Sequence, residues 1–471
     1  MRNKFMKNLS LSIVSNIIVL LTSSLSIIIL PKFMTVGEFG LYQLYLLYFS
    51  YSGLLQLGWA DGVFLKYGGM NYRDIDKREI KSHFVYSLIY SVLVSLILTV
   101  ALLFFKSVSL KNVILILSVL ITIITTPRGI LYYILQGTGR MKEYSSSIIL
   151  GRLFFLFSII TLVAIHKINF ILLISCELGS QVLALMISIY NMRDIFKVRM
   201  LNIREFYPSI RTSINIGFKL LIANIASQLM LGQNRFAIES HWGIKLFSEV
   251  SLTLSISNLV LIFVNSASIV IFPFLKRLGI EKMKSIFFSV SNTISVVSSF
   301  TLILYFPLII IIELWLPKYE NSVQFMGILF PIIIFEGKNS VLLITYLKAL
   351  RKEKFIMLSN IASVVLSLIL VVIAIYGVSS LKLTLIFIVV SLGFRAYFNE
   401  FSLSHFMGLK VTMTAKKCIF LEIFLVIIFM VLNTLNVLEL YRIGIIAFLI
   451  FLLVLSSKPD LLKVYKAFFI R

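Results

Sequence analysis

Apolar runs about twenty residues long, separated by short polar turns, recur from one end of the chain to the other. An α-helix needs about 20 apolar residues to cross ~30 Å of hydrocarbon. By that ruler the pattern predicts fourteen transmembrane helices, at 9–31, 40–62, 84–105, 112–136, 146–166, 169–190, 211–233, 246–272, 286–312, 323–347, 355–376, 383–404, 418–436 and 441–457. Lys219 and Asn224 interrupt the seventh, and the last two are short. No connecting stretch exceeds roughly twenty residues, so no soluble domain is expected. The fold class is all-α, a polytopic membrane protein of about fourteen helices.

Lysine and arginine gather in alternate loops. With a cytoplasmic N-terminus, the inside segments hold about 30 of the 44 basic residues. The outside loops hold about 9, namely Lys32, Lys106, Lys111, Lys167, Arg235, Lys245, Lys318, Lys382 and Arg442, and five more lie within helices. Short basic loops stay on the cytoplasmic side. Both termini are therefore expected there, with an even number of spans.

The chain also repeats itself. Lys81-Ser82-His83-Phe84 matches Lys284-Ser285-Ile286-Phe287, and Lys32-Phe33 matches Arg235-Phe236, at an offset of about 203. Pro127 falls near Pro331, and Arg140-Met141-Lys142-Glu143-Tyr144 resembles Arg351-Lys352-Glu353-Lys354-Phe355. The order predicts an N-terminal six-helix lobe (1–190), a cytoplasmic interfacial linker (191–210) and a second six-helix lobe (211–404). Helices 13 and 14 with a cytoplasmic amphipathic tail (405–471) complete the chain. Six spans per unit is even, so the halves share one orientation, the parallel-repeat plan of many transporters.

Composition agrees. Apolar residues make up 59% of the chain and charged residues 14%, against roughly 25% charged in soluble domains. The net charge of +24 raises nucleic acid as a partner, but the bases form no single patch interleaved with aromatics. No nucleic-acid partner is expected. Cys176 and Cys418 lie far apart in apolar segments, and His83, His166, His241 and His405 are scattered, which offers no metal set. No phosphate-binding GxxxxGK[ST] occurs, so no cofactor is expected. The basic Met1–Lys7 leads into a long apolar run without a small-residue cleavage site and is expected to precede a retained helix.

The chemistry lies in charges inside helices. Arg128, Arg152, Lys219, Lys338 and Arg395 sit about seven to ten residues from the cytoplasmic ends of their helices, or ~10–15 Å deep at 1.5 Å per residue. A charge at mid-bilayer costs ~2.5–3.5 kcal/mol on insertion scales. One reading is that these five line a water-filled cationic cavity that binds an anion, with guanidinium groups gripping phosphate by paired hydrogen bonds. The other is that each snorkels to the interface or pairs with an acid. Arg128 directly follows Pro127 and Lys338 follows Pro331 by two turns, and broken helices often mark transporter sites. The buried acids are Asp61, Glu177, Glu249, Glu336 and Glu400. Asp61, Glu177 and Glu336 are candidates for binding a coupling H⁺ or Na⁺, with pairing to the bases as the alternative. Gln56, Gln136, Gln181, Asn224, Gln228, Asn258 and Asn339 either line a sugar path or join helices.

The first loop carries a resemblance. Leu30-Pro31-Lys32-Phe33-Met34, Gly37-Glu38-Phe39-Gly40-Leu41-Tyr42 and Gln56-Leu57-Gly58-Trp59-Ala60-Asp61-Gly62-Val63 resemble a Wzx-type O-antigen or polysaccharide flippase. That is the polysaccharide transporter family of the multidrug/oligosaccharidyl-lipid/polysaccharide exporter superfamily. The resemblance implies a multi-pass transporter of the bacterial inner membrane with two lobes around a cationic central cavity. It further implies alternating-access transfer of an undecaprenyl-pyrophosphate-linked oligosaccharide, an O-antigen or capsule repeat unit, toward the periplasm. The implied partners are that lipid-linked substrate, membrane lipids, an H⁺ or Na⁺ gradient, and a polysaccharide polymerase with chain-length proteins. In the related lipid II flippases an extra helix pair lines a groove for the lipid tail, the expected place of helices 13 and 14.

Such a protein is not an enzyme. A drug/cation antiporter of the same superfamily would want an acidic, aromatic cavity. A membrane-embedded polysaccharide polymerase or glycosyltransferase would want a sizeable periplasmic loop, and none is present. A structural scaffold without a transport cycle is the remaining alternative.

Overall fold

A computed structural model describes residues 2–105, 109–278, 280–350, 352–435 and 437–469. Lys106 and Arg351, counted above among the loop cations, lie outside the described residues. The chain divides into two compact units, Met1–Ile225 and Ala226–Arg471. Among the described residues there is no strand. The protein is an all-α polytopic membrane protein: ten described helices are long and apolar enough to cross a bilayer, or eleven if one bent pair counts as a span.

The first unit holds α1 (Arg2–Phe33), α2 (Val36–Tyr51), α3 (Trp59–Tyr67), α4 (Lys77–Phe105), α5 (Leu110–Leu120), α6 (Thr122–Gly137), α7 (Met141–Ala164), α8 (Phe170–Asn191) and the start of α9 (Ile203–Leu278). Thr35 begins α2 with a capping box. The Glu38 amide donates to Thr35 Oγ1 at 3.2 Å and the Thr35 amide donates to Glu38 Oε2 at 3.3 Å, which satisfies two amides left without helical partners. Helix α7 packs on α1 and α8, and α6 packs on α3, α4 and α8. Trp59, Val63, Ile80, Ile130, Ile134 and Phe206 share one buried core.

Fourteen spans are expected, and among the described residues ten or eleven helices meet the length and hydropathy of a span on their own, in part because some of the expected segments are broken. The 40–62 segment is two helices, split where Leu57 (φ 53°) and Gly58 (φ 73°) take left-handed backbone. The 211–233 segment is part of a helix that continues to Gly243, whose φ of 83° and ψ of 178° break α9. Only glycine adopts that geometry without strain.

Gly58, which caps α3, and Gly62 within it form a small-xxx-small pair facing Ser213 and Gly217 on α9. A Cβ on Gly62 would lie 1.8 Å from the Ser213 carbonyl oxygen, and one on Gly217 would lie 1.8 Å from that of Gly58. The two backbones are in direct contact, which only small residues allow.

The expected linker is docked on the first unit, and the boundary between units falls inside α9 instead. The Lys81 ammonium donates to the carbonyls of Phe196 (3.1 Å) and Val198 (2.7 Å), and Ser82 Oγ accepts from the Leu201 amide at 2.8 Å. Lys77 and Tyr72 hold Asp194 at 2.9 and 2.8 Å. These bonds satisfy polar backbone groups of 192–202 and hold the stretch against the first unit. Burial opposes ionisation of Asp194, but Lys77 and Tyr72 outweigh it and hold the carboxyl below its usual value.

The second unit continues with α10 (Ile280–Phe300), α11 (Tyr305–Trp315), α12 (Glu320–Leu329), α13 (Ile332–Lys338), α14 (Ile344–Ala349), α15 (Glu353–Val372), α16 (Leu381–Phe406), α17 (Met413–Thr434) and α18 (Glu439–Phe469). Pro331 has no amide proton and its ring crowds the preceding turn. The helical segments on either side of it, 317–329 and 332–349, meet at 48°. A π-turn at Asn339–Leu343 follows. Helices α13 and α12 pack on α16, and α10 packs on α13, α17 and α18. The tail after Pro459 continues α18 rather than forming a separate amphipathic helix. Asp460 accepts from Ser289 Oγ and Asn292 Nδ2, both at 2.7 Å, and Lys463 donates to the Ser285 carbonyl at 2.6 Å.

Candidate functional site

In the first unit two cavities, of about 290 and 410 Å³, share a wall made of Arg128, Tyr132 and Tyr144. Arg128 is placed by α6, one residue after Pro127 and one turn before Tyr132. Residues at this spacing share a helix face, and the guanidinium carbon lies 4.9 Å from the Tyr132 ring centroid. That contact holds the cation over the ring face. Among the described residues no carboxylate lies within 4 Å of Arg128, and its buried Nε has no hydrogen-bond partner.

Arg152, on α7, lines the smaller cavity with Gln181 and Ser180 of α8. It differs from Arg128 in being paired: its Nη1 lies 3.5 Å from Glu177 Oε1. Gln181 Nε2 donates to the same oxygen at 2.6 Å, which orients the buried Glu177. In the smaller cavity two guanidiniums stand against the one carboxylate of Glu177. Gln56, Gln136 and Tyr133 line the larger cavity, and Tyr133 donates to Asp61 Oδ1 at 3.2 Å. Arg128, Arg152 and Glu177 therefore come together, and Asp61 stands behind the same wall. Lys219 does not join them; its side chain is exposed on α9.

In the second unit the expected cations are buried among acids. Lys338, 1% exposed, lies 2.8 Å from Glu400 Oε2 and 3.1 Å from Glu422 Oε2. Arg395 is paired with Glu336 and also donates to Asn360 Oδ1 at 3.4 Å. Neither is an unpaired charge open to an anion, so of the five bases only the half-buried Arg128 lines a cavity with no carboxylate within 4 Å among the described residues. The physical reason is the cost of an isolated buried charge, which is met by a nearby counter-charge wherever the fold can supply one. Glu336 and Lys338 are too close in sequence to share a helix face, and each has another partner.

Sequence reasoning passed over Glu422, Tyr132 and Tyr144. A signal for Glu422 was present, because it is the only charge in the apolar run 418–436. A lysine deep in one span calls for an acid in another. The tyrosines carried no such signal.

No protein-family model matches the sequence, and no curated protein matches it. The fold does match solved structures. One is a multidrug resistance MATE family transporter of the MOP superfamily in an inward-facing conformation, with a TM-score of 0.66 over 84% of this chain and 96% of that one. Another is the lipid II flippase MurJ in an inward closed conformation, with a TM-score of 0.62 over 99% of this chain and 100% of that one. Each is 13% identical to this chain. At that identity the likeness establishes the fold, which is the fold of these membrane transporters.

Proposed function

We propose that the protein is a flippase of the bacterial inner membrane that carries an undecaprenyl-pyrophosphate-linked oligosaccharide from the cytoplasmic to the periplasmic leaflet by alternating access. The observation that carries this reading is the Arg128 guanidinium, with no carboxylate within 4 Å among the described residues, set between two cavities lined by tyrosines and amides. A diphosphate is the natural ligand of an unpaired arginine. Tyrosine faces and the Gln56 and Gln136 amides suit the sugars that follow it. The match to the lipid II flippase over its full length supports the same reading from the fold. A multidrug transporter shares the fold as well, but a pocket with net positive charge repels the cations an antiporter of that kind would carry.

In this reading Arg128 and Arg152 contact the diphosphate, Lys219, Lys338 and Arg395 do not, and both termini are cytoplasmic. The experiment is deletion of the gene followed by analysis of lipid-linked glycans. Complete repeat units should accumulate in the cytoplasmic leaflet. Finished but unpolymerised units on the cell surface would instead indicate a polymerase, and unchanged glycans with altered drug resistance an antiporter.

A further inference from the structure

The ion pairs of the second unit do not balance. One ammonium, Lys338, faces two carboxylates, Glu400 and Glu422, and the three side chains are 0–1% exposed. Glu400 has one oxygen bonded and one ion-paired: Ser291 donates to Oε1, and Oε2 lies 2.8 Å from the ammonium but has no hydrogen bond of its own. Glu422 uses only one, since Oε2 accepts from Ser295 at 2.9 Å and from Lys338 at 3.1 Å. Glu422 Oε1 is buried with neither a hydrogen bond nor an ion pair.

Among the described residues, the surrounding helices supply no second cation. On α16, Arg395 is taken by Glu336, and Tyr397 places its ring 5.2 Å from the Lys338 ammonium and its neutral hydroxyl against Glu422, which adds no positive charge. On α17, Lys416 and Lys417 are exposed and Cys418 is a buried thiol held by Ser457 of α18. On α18 the acid Asp460 is held by Ser289 and Asn292 of α10. Two ionised carboxylates would therefore leave a net negative charge in a closed interior. A buried group in that position neutralises rather than stays charged.

We propose that the Lys338–Glu400–Glu422 cluster binds one exchangeable proton, held on Glu422, and that this is the driving-ion site of the transport cycle. The second half of that statement rests on the flippase reading; the first does not. Sodium is a poorer occupant. The lysine ammonium already takes the position between the carboxylates, and among the described residues no group of three His, Cys, Asp or Glu is placed to hold a metal. The proton comes from water and returns to water, forming and breaking the Glu422 O–H bond. Because the cluster is closed, exchange requires α13, α16 and α17 to part, which couples proton release to a change of state. A ligand drives such a change only through unequal affinity for the two states, and a carboxyl that is closed in one and open in the other has that property.

The test is infrared spectroscopy of the purified full-length protein in lipid nanodiscs at neutral pH, read at the C=O stretch of a protonated carboxyl in H₂O and D₂O. Subtracting the Glu422→Gln spectrum, or the Glu400→Gln spectrum, from wild type should each reveal one lost carboxylic-acid band, because either substitution leaves a neutral lysine–glutamate pair. Lys338→Met should gain one such band. Absence of any band lost in both glutamine variants would mean that both carboxyls are ionised, and would overturn the proposal. Should a variant fail to fold, isotope-edited wild-type protein decides the same question by the presence or absence of the band. A protonated cluster in a protein whose deletion leaves lipid-linked glycans unchanged refutes the flippase reading alone. Two ionised carboxylates in a working flippase refute the proton site alone.

Discussion

The Gly62 Cα hydrogen on α3 occupies the only space available beneath the Ser213 carbonyl of α9, because a methyl group there would lie 1.8 Å from that oxygen. The contact is backbone against backbone, so it can be relieved only by moving a helix. Gly62→Ala should destabilise the detergent-solubilised protein by an amount at or above the ~1–3 kcal/mol typical of an overpacked core, read as a lower thermal midpoint. Gly37→Ala, where a Cβ meets nothing within 4 Å, should leave it unchanged. Equal midpoints for the two variants would contradict the crossing.

Arg395 and Glu336 form a pair in which the arginine is 3% exposed and the acid 19%. Removing one member of a buried pair costs about 3–5 kcal/mol, whereas replacing both with apolar residues is often neutral. The partial exposure of Glu336 puts Arg395→Leu near the lower end of that range. The double variant Arg395→Leu/Glu336→Leu should recover most of the loss. Additive losses in the double variant, measured by thermal unfolding, would show that the two side chains do not act as a pair.

The 192–202 stretch is held by the Lys81 ammonium on two carbonyls. A hydrogen bond from a charged donor contributes about 1.5–3 kcal/mol. Lys81→Met should therefore raise the rate of limited proteolysis within 192–202 by roughly tenfold or more, since cleavage follows local opening. The rate elsewhere in the chain should not change. Unaltered cleavage would mean that the stretch is held by other contacts.

The fold class was legible in the sequence because twenty-residue apolar runs have one solution in lipid. The break at Pro331 was legible too, since it depends on neighbours along the chain. Partners across the fold were not. Lys338 could be recognised as a buried charge from its place in an apolar run, but Glu422 lies 84 residues away, and no local pattern joins them. The same holds for Gly58-xxx-Gly62 and Ser213-xxx-Gly217, where each half is visible and the pairing is not. Depth within a helix was a correct guide to burial of Lys338 and Arg395 and a poor guide to function, because depth does not say whether an acid stands opposite. Lys219 lay outside both lessons: the broken polarity of its helix was visible, yet its side chain ended up exposed.

The most direct measurement is the affinity of the purified protein in nanodiscs for an undecaprenyl-pyrophosphate-linked oligosaccharide, compared among wild type, Arg128→Gln and Lys219→Gln. Loss of one charge-assisted contact of about 1.5–3 kcal/mol corresponds to roughly a tenfold to hundredfold weakening. That weakening is expected for Arg128→Gln, with Lys219→Gln indistinguishable from wild type. Equal affinity for wild type and Arg128→Gln would contradict the assignment of the substrate diphosphate to this arginine.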